Sequence, residues 1–215
     1  MSEVKQMPRI QDLNKFTLFA DIPGVTKQRA RLSWSMRGTN PRITAFAFNP
    51  NTNKNEVTTA PLSPDIFLIF CDQFLAMIDS NQTNIKAKIE TLTSVRDAGN
   101  KPTQEKKLLS ELWYGIDANG IVWMSIVEGD KPRIKFTFNI WGYNVIYKTD
   151  GTALTEAEAS RIAAKSSVSA LKAIYIQNMA EFTEYVPQSD RTIDARTTDT
   201  SVAKIDPSVL EDINF

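Results

Sequence analysis

Apolar and polar residues alternate along much of the chain, and this pattern predicts β-strands because successive side chains of a strand point to opposite faces. The clearest alternation in the first third is residues 29–37, in which every second residue is apolar. Neighbouring segments also alternate, or are short and apolar between turn residues. The strands predicted before the first helix are residues 15–22, 29–37, 42–49 and 56–60.

The same pattern returns in the second half of the chain and predicts a second group of strands. Residues 133–140 alternate most regularly, so we expect the cleanest strand there. The turn at residues 117–120 ends in Asn-Gly, which suits the left-handed positions of a tight hairpin. The predicted strands of this group are residues 85–91, 107–116, 121–128 and 133–140.

Two segments carry helix signals instead. Ser63 is a suitable N-cap, and Pro64 follows it at the first helical position. Residues 66–78 are apolar nearly all round, which predicts a helix buried deep against a sheet. Thr155 and Glu158 form a capping box for a second, longer helix. The apolar stripe predicted for that helix is Val168, Leu171, Tyr175, Met179 and Phe182.

Composition is that of a folded protein from a reducing compartment. The chain has 215 residues, of which 42% are hydrophobic and 9% aromatic. Cys71 is the single cysteine, so we expect a buried, inert thiol and no intramolecular disulfide. No apolar run approaches the roughly 20 residues of a membrane helix, and the N-terminus lacks the apolar core of a secretory signal. We therefore expect a cytoplasmic protein with no membrane partner.

A formal net charge of zero conceals an uneven distribution. From residue 186 onward the chain has six acidic and three basic residues, which leaves −3 on this segment and +3 on the remainder. A basic body with an acidic tail is the arrangement expected when the tail competes for an anion-binding face.

The chain ends in acidic residues followed by apolar ones: Glu211 and Asp212 precede Ile213 and a terminal Phe215. These last ten residues resemble the tails of bacterial and bacteriophage single-stranded DNA-binding proteins, which run acidic and finish in Phe. Asn214 stands where the bacterial tip usually has Pro. The resemblance implies a tip that binds replication or recombination proteins.

This resemblance also implies a division of the chain into three regions. Residues 1–14 are expected to be a mobile N-terminal arm, and residues 15–185 a single-stranded DNA-binding domain. Residues 186–215 are polar with few large apolar residues, so we expect a disordered acidic tail that carries the partner-binding tip.

The predicted order is four strands and a helix, twice, so the fold class is α+β, mainly β. One fold that fits is an oligonucleotide-binding (OB-like) barrel with an inserted helix and a long C-terminal helix. The alternative resembles the Whirly and PUR families, in which two strand-rich halves are each closed by a helix. The tail resemblance favours the barrel by analogy, because bacterial and phage proteins with such tails generally use it.

Basic residues recur on the outward faces of the predicted strands, opposite the apolar faces. Cations that track phosphates are one requirement for binding a single strand of nucleic acid, and their contribution depends on salt. Outward Lys and Arg are also ordinary on any alternating strand. The candidate backbone-binding residues are Arg29, Arg31, Arg37, Arg42, Lys86, Lys88, Arg133 and Lys135.

Flat rings on which bases stack are the second requirement. Phe46 and Phe48 share the outward face of their strand with a basic residue, although that face could instead be covered by a helix. Trp113 and Trp141 fall on the less apolar faces of their strands, although Trp often fills a core edge. These four residues are the candidate base-stacking residues, whereas Trp34 is expected in the core.

The sequence offers little for catalysis. Histidine is absent, which removes the commonest general base and, with a single cysteine, the usual zinc sites. Neither a phosphate-binding loop nor a dinucleotide-binding glycine motif occurs. We therefore predict no enzymatic activity, no catalytic residue, no metal and no cofactor.

We interpret the chain as a sequence-tolerant single-stranded DNA-binding protein of a bacteriophage replication or recombination module, acting in the cytoplasm of the infected host cell. One alternative is a strand-annealing recombination protein. Another is a structural or interaction module that uses the Phe215 tip without touching DNA. The sequence does not distinguish DNA from RNA as the ligand, because stacking and phosphate contacts serve both. A homo-oligomer also remains an open alternative.

Overall fold

Two runs of four strands, each followed by a helix, make up the computed structural model, which describes residues 16–140 and 145–181. The first run and its helix are β1 (Leu18–Ile22), β2 (Val25–Arg37), β3 (Asn40–Asn49), β4 (Lys54–Pro61) and α1 (Pro64–Asp79). The second run and its helix are β5 (Ile85–Arg96), β6 (Pro102–Ile116), β7 (Val122–Val127), β8 (Phe136–Thr137) and α2 (Glu156–Glu181). The predicted α+β, mainly β class is confirmed.

The strands form two antiparallel sheets in which neighbours along the chain are also neighbours in space. One sheet has the order β1-β2-β3-β4 and the other the order β5-β6-β7-β8. Within residues 16–140 and 145–181 the strands therefore make two separate sheets and not one closed barrel. The predicted N-terminal arm, residues 1–14, and the predicted acidic tail, residues 186–215, lie outside the described residues.

Alternation places one face of each sheet in a shared core. In β2, Leu32 and Trp34 are buried, and they lie opposite Ala45 and Ile43 of β3. In β6, Leu112 and Tyr114 are buried in the same hydrophobic cluster. The predicted inward and outward faces of β2 and β3 are thus confirmed, because period-two patterning follows directly from strand geometry.

Helix α1 joins the inner faces of the two sheets through aromatic contacts. The ring of Phe70 lies 6.3 Å from Trp34 of the first sheet and 5.0 Å from Tyr114 of the second. The ring of Phe74, on the same face of the helix, also lies 5.0 Å from the ring of Tyr114. Such edge and tilted ring pairs add to the free energy gained from apolar burial.

Two details of α1 differ from the prediction. The helix is not buried all round: Ile69 is 48% exposed, because the sheets and α2 cover only one side. Ser63 occupies the N-cap position, but its hydroxyl contacts the carboxylate of Asp65 and makes no hydrogen bond to a backbone N–H. Burial of Cys71 is confirmed, and it raises the pKa of the thiol to about 12.

Helix α2 begins with the predicted capping box and packs on α1. The Thr155 backbone N–H donates to a Glu158 carboxylate oxygen at 2.8 Å, and Glu158 N–H donates to the Thr155 hydroxyl. Hydrogen bonds from Thr155 and Lys148 lower the pKa of Glu158 to about 2. Tyr175, in the predicted apolar stripe, packs on Phe67 with ring centres 4.8 Å apart.

Residues 133–140 form a shorter strand than predicted. Their alternation is real, since Ile134, Phe136 and Phe138 are all buried. Only two residues of β8 pair with β7, however, at Trp123–Thr137 and Met124–Phe136. Periodic burial therefore arose mainly from packing on the core, and an apolar alternation cannot distinguish that from a full hydrogen-bonded ladder.

The turn between β6 and β7 differs from the predicted hairpin in its conformation. Only Gly120 has a positive φ, +81°, and Asn119 does not adopt the left-handed conformation. The Asp117 carboxylate instead accepts hydrogen bonds from the backbone N–H groups of Asn119 and Ile121. A side chain therefore closes this turn, with glycine needed at its last position.

Glycine is required at residue 115 because the backbone of β5 lies close to it. A Cβ at this position would lie 2.4 Å from the carbonyl oxygen of Ile85, so the two strands would have to separate. We expect Gly115→Ala to lower the free energy of unfolding by about 1–3 kcal/mol, the usual range for overpacking. Urea denaturation followed by circular dichroism measures this change.

Gly99→Ala is the matched control, because the nearest atom to its added Cβ is 3.4 Å away in an exposed loop. It should leave the unfolding midpoint within experimental error. Equal midpoints for Gly115→Ala and Gly99→Ala would contradict the close approach of β5 and β6.

Candidate functional site

One row of side chains crosses the outward face of the whole first sheet. Phe19, Arg31, Phe46 and Val57 are successive cross-strand partners from β1 to β4. Phe19 is 41% exposed and Val57 47% exposed, although both are apolar. The row therefore presents an arginine between accessible apolar side chains on a surface that no described element covers.

A groove of about 380 Å³ lies along this row. Arg31 places its guanidinium carbon 4.6 Å from the ring centre of Phe46, within the range of a cation–π contact. Arg29 and Phe48 line the same groove. Arg29 also forms an ion pair with Asp21, with Nε and Oδ1 3.1 Å apart on the exposed surface.

Two predicted cations of the first sheet do not line this groove. Arg42 lies opposite Ser35 and Pro61, further along the strands, and its Nε is buried without a hydrogen-bond partner among the described residues. Arg37 lies at the end of β2, next to the turn into β3. Of the candidates on this sheet, the groove brings together only Arg29, Arg31, Phe46 and Phe48.

The outward face of the second sheet carries two tryptophans. Trp113 of β6 is half-buried and lies between Lys88 of β5 and Ser125 of β7. Trp123 of β7 is also half-buried and pairs with Gly115, one row further along the same face. Both rings therefore lie on the side of the sheet that α1 does not cover.

Lysines lie over both rings. The ammonium groups of Lys86 and Lys88 are 5.2 and 5.3 Å from the ring centre of Trp113. Lys135 lies 5.6 Å from the ring centre of Trp123. A cavity of about 230 Å³ is lined by Lys86, Trp123 and Lys135. The second sheet thus repeats the combination of cation and ring found on the first.

Carboxylates hold two of these lysines in place. Lys88 forms ion pairs with Glu90 and with Glu111, the latter at 2.7 Å. Lys135 lies 2.7 Å from Asp117. Burial raises the pKa of Asp117, but hydrogen bonds from Lys135 and the Ile121 backbone outweigh it, so the pKa lies below its ordinary value.

Six further predicted site residues lie apart from these faces or outside the described residues. Arg133 is exposed and lines a small cavity of about 190 Å³ with residues of the β1–β2 turn. Trp141 belongs to residues 141–144, which lie outside the described ranges. The predicted tail residues Glu211, Asp212, Ile213 and Phe215 lie outside them too.

Three residues of these faces were not among the candidates predicted from the sequence. Phe19 and Val57 complete the row on the first sheet, and Trp123 contacts Lys135 on the second. A usable signal existed for Phe19, because Leu18 and Ala20 on either side are the apolar inward residues of β1. The proximity of Trp123 to Lys135 depends on strand pairing, which a single sequence does not contain.

Among the described residues, no group of three or more His, Cys, Asp or Glu side chains is placed to hold a metal ion. No helix in the described ranges is long and apolar enough to cross a membrane. No protein-family model matches the chain, and no curated protein is significantly similar to it.

Trp113 should report the ionisation of its neighbour Glu111. Trp113 Nε1–H donates to the Glu111 carboxylate at 2.9 Å. Hydrogen bonds from Lys88 and Trp113 lower the pKa of Glu111 from its ordinary value of 4.5. Because the folded protein favours the ionised form, the carboxylate should persist as the pH falls through 4.5 and protonate only below it.

We therefore expect a change in tryptophan emission with a midpoint below pH 4.5. Glu111→Gln should abolish this transition, whereas Glu105→Gln, an exposed change in the same strand, should retain it. Circular dichroism at each pH verifies that the fold persists. A midpoint at or above 4.5, or an unchanged transition in Glu111→Gln, would contradict the contact.

Proposed function

We propose that this protein binds single-stranded DNA with little dependence on sequence, as a non-enzymatic component of DNA replication or recombination. The observation that carries the proposal is the pairing of cations with aromatic rings on the outward faces of both sheets. The four contacts are Arg31 over Phe46, Lys86 and Lys88 over Trp113, and Lys135 over Trp123.

Single-stranded DNA requires this combination at close quarters. A ring accepts a stacked base of any sequence, and each base stacked on an aromatic side chain contributes about 1–3 kcal/mol. A cation next to the ring is within reach of the phosphate that joins successive bases, and counterion release makes that contribution depend on salt. Rings and cations in adjacent strands supply both along the sheet.

The ion pairs on the second sheet are compatible with this role. A carboxylate oxygen and a phosphate oxygen both accept hydrogen bonds from a lysine ammonium. Exposed ion pairs contribute only about 0–1 kcal/mol. Lys88 and Lys135 can therefore exchange Glu111 and Asp117 for phosphates at small cost.

The order of the elements supports the Whirly/PUR-like fold as the finer description over the OB-like barrel. Four strands and a helix occur twice, and each run of strands forms its own sheet. A barrel would instead continue one sheet around the molecule. Both folds place single-stranded nucleic acid on strand faces, so the proposed function does not depend on the choice.

The acidic tail is proposed to occupy the basic faces in the absence of DNA and to leave them when DNA binds. The −3 charge after residue 185 and the +3 charge before it support this competition. Once released, Ile213 and Phe215 would bind a polymerase, helicase or recombinase. The acidic, Phe-terminated tip also supports a bacteriophage origin, by its resemblance to phage proteins.

An interaction module that does not touch DNA is the second candidate. It is favoured by the groove that Phe19, Phe46 and Val57 line, because an exposed groove with apolar side chains often binds another protein. This candidate predicts that oligonucleotides leave tryptophan emission unchanged.

The first test is titration of the full chain with an oligo-dT at low and at moderate salt. Tryptophan emission and the anisotropy of a labelled oligonucleotide both monitor binding. We expect strong quenching and an affinity that falls as salt rises. Trp113→Ala should weaken binding about 5- to 150-fold, the equivalent of losing one stacked base at about 1–3 kcal/mol.

Lys86→Ala should reduce the slope of affinity against salt by about one phosphate contact. The matched control is Lys165→Ala, which removes the same charge from α2, where Lys165 pairs with Asp79. Equal effects of the two lysine variants would contradict binding at the second sheet. If the oligonucleotide causes no quenching and no anisotropy change at low salt, the proposed function is overturned.

Removal of residues 206–215 tests the tail. Because this change deletes three acids and the apolar tip, we expect tighter DNA binding at low salt and loss of recruitment of replication proteins. Replacing only Ile213 and Phe215 with Ala should abolish recruitment and leave DNA affinity unchanged. Unchanged affinity after the deletion would contradict competition by the tail.

A further inference from the structure

The two cation–aromatic faces belong to different sheets that share one core. Trp34 of the first sheet and Tyr114 of the second both pack on Phe70 of α1, so both inner faces are closed. Each sheet therefore has a single outward face, and each of these faces carries its own rings and cations.

The grooves on the two faces share no residue. Phe19, Arg31 and Phe46 line the first, whereas Trp123 and Lys135 line the second. Each groove has at least one ring that can stack a base and one cation that can contact a phosphate. Each is therefore a sufficient site for a short segment of single strand without the other.

Two hydrogen bonds join the sheets along β4. The Thr59 backbone N–H of β4 donates to the Glu128 carboxylate at 3.3 Å, just beyond the end of β7. The Thr91 hydroxyl of β5 donates to the Pro61 carbonyl oxygen at 3.2 Å. The edge strand β4 of the first sheet thus contacts both β5 and the residue that follows β7 in the second sheet.

The row of the second sheet at this level is acidic. Glu90 is adjacent to Thr91 and lies directly opposite Glu111, so carboxylates follow the lysine–tryptophan rows. Lys88 is the ion-pair partner of both glutamates, which leaves a net negative charge on the three groups. Glu128 is instead paired with Lys131, so we call Glu90 and Glu111 the carboxylate border. A phosphate backbone crossing between the grooves here would meet like charge.

We propose that one chain holds two segments of single-stranded DNA at once, one on each sheet, with the carboxylate border between them. This inference rests on the proposed function and deepens it. A protein with two such sites brings two strands, or two distant stretches of one strand, next to each other. That capacity is what strand annealing requires and what a coating protein with one continuous path lacks.

Native mass spectrometry of the full chain with a dT oligonucleotide of about eight residues, within the 4–16 that one small binding fold covers, counts the sites directly. The mass of each complex gives the number of oligonucleotides per chain whatever the oligomeric state. We expect two per chain at saturation, and one per chain in the double variant Arg31→Ala/Phe46→Ala.

Trp123→Ala/Lys135→Ala on the second sheet is the matched counterpart and should also bind one oligonucleotide per chain. Combining all four changes should abolish binding. Circular dichroism shows whether an aromatic change perturbs the fold. If it does, the single variants Arg31→Glu and Lys86→Glu replace the double variants, because both side chains lie on outward faces.

One oligonucleotide per wild-type chain would overturn the two-site proposal and leave single-stranded DNA binding intact. A face variant that loses both oligonucleotides, or neither, would also overturn it, because the sites would then not be independent. No bound oligonucleotide in the wild type would overturn the proposed function together with this inference.

Discussion

The contact of α1 with both sheets is the constraint on which the rest of the structure depends. Phe70 and Phe74 present one face of the helix to Tyr114, while Phe70 also packs on Trp34. These close-packed aromatic side chains fill the space between the inner faces and α1, so nothing else can bind there. The outward faces are consequently the surfaces on which basic residues and unburied rings can collect.

The electrostatics of those faces follow from strand spacing. Partners in adjacent strands have Cβ atoms about 4.5–5.5 Å apart, so a long cationic side chain reaches a ring in the next strand. Lys88 beside Trp113 and Arg31 beside Phe46 are such partners. Acids in the same rows neutralise some of the lysines, which keeps the folded chain free of large self-repulsion while an anionic ligand is absent.

Local signals predicted the first helix start, the capping box and the inward and outward faces of β2 and β3. Thr155 and Glu158 are three residues apart, and the burial pattern of β2 repeats every two residues. Each pattern therefore lies within a short window of sequence. The predictions that differed concerned contacts between segments. Residues 133–140 alternate as a full strand would, yet the ladder with β7 covers two of them.

The sequence by itself determined which side chains face inward and which outward, because strand and helix periods are properties of the backbone. Only the tertiary structure decided which outward residues meet. Phe19 joined Arg31, and Trp123 joined Lys135, through pairing and packing of separate strands. A shift of one residue in any strand would exchange its faces, and the aromatic core that prevents the shift is assembled from distant parts of the chain.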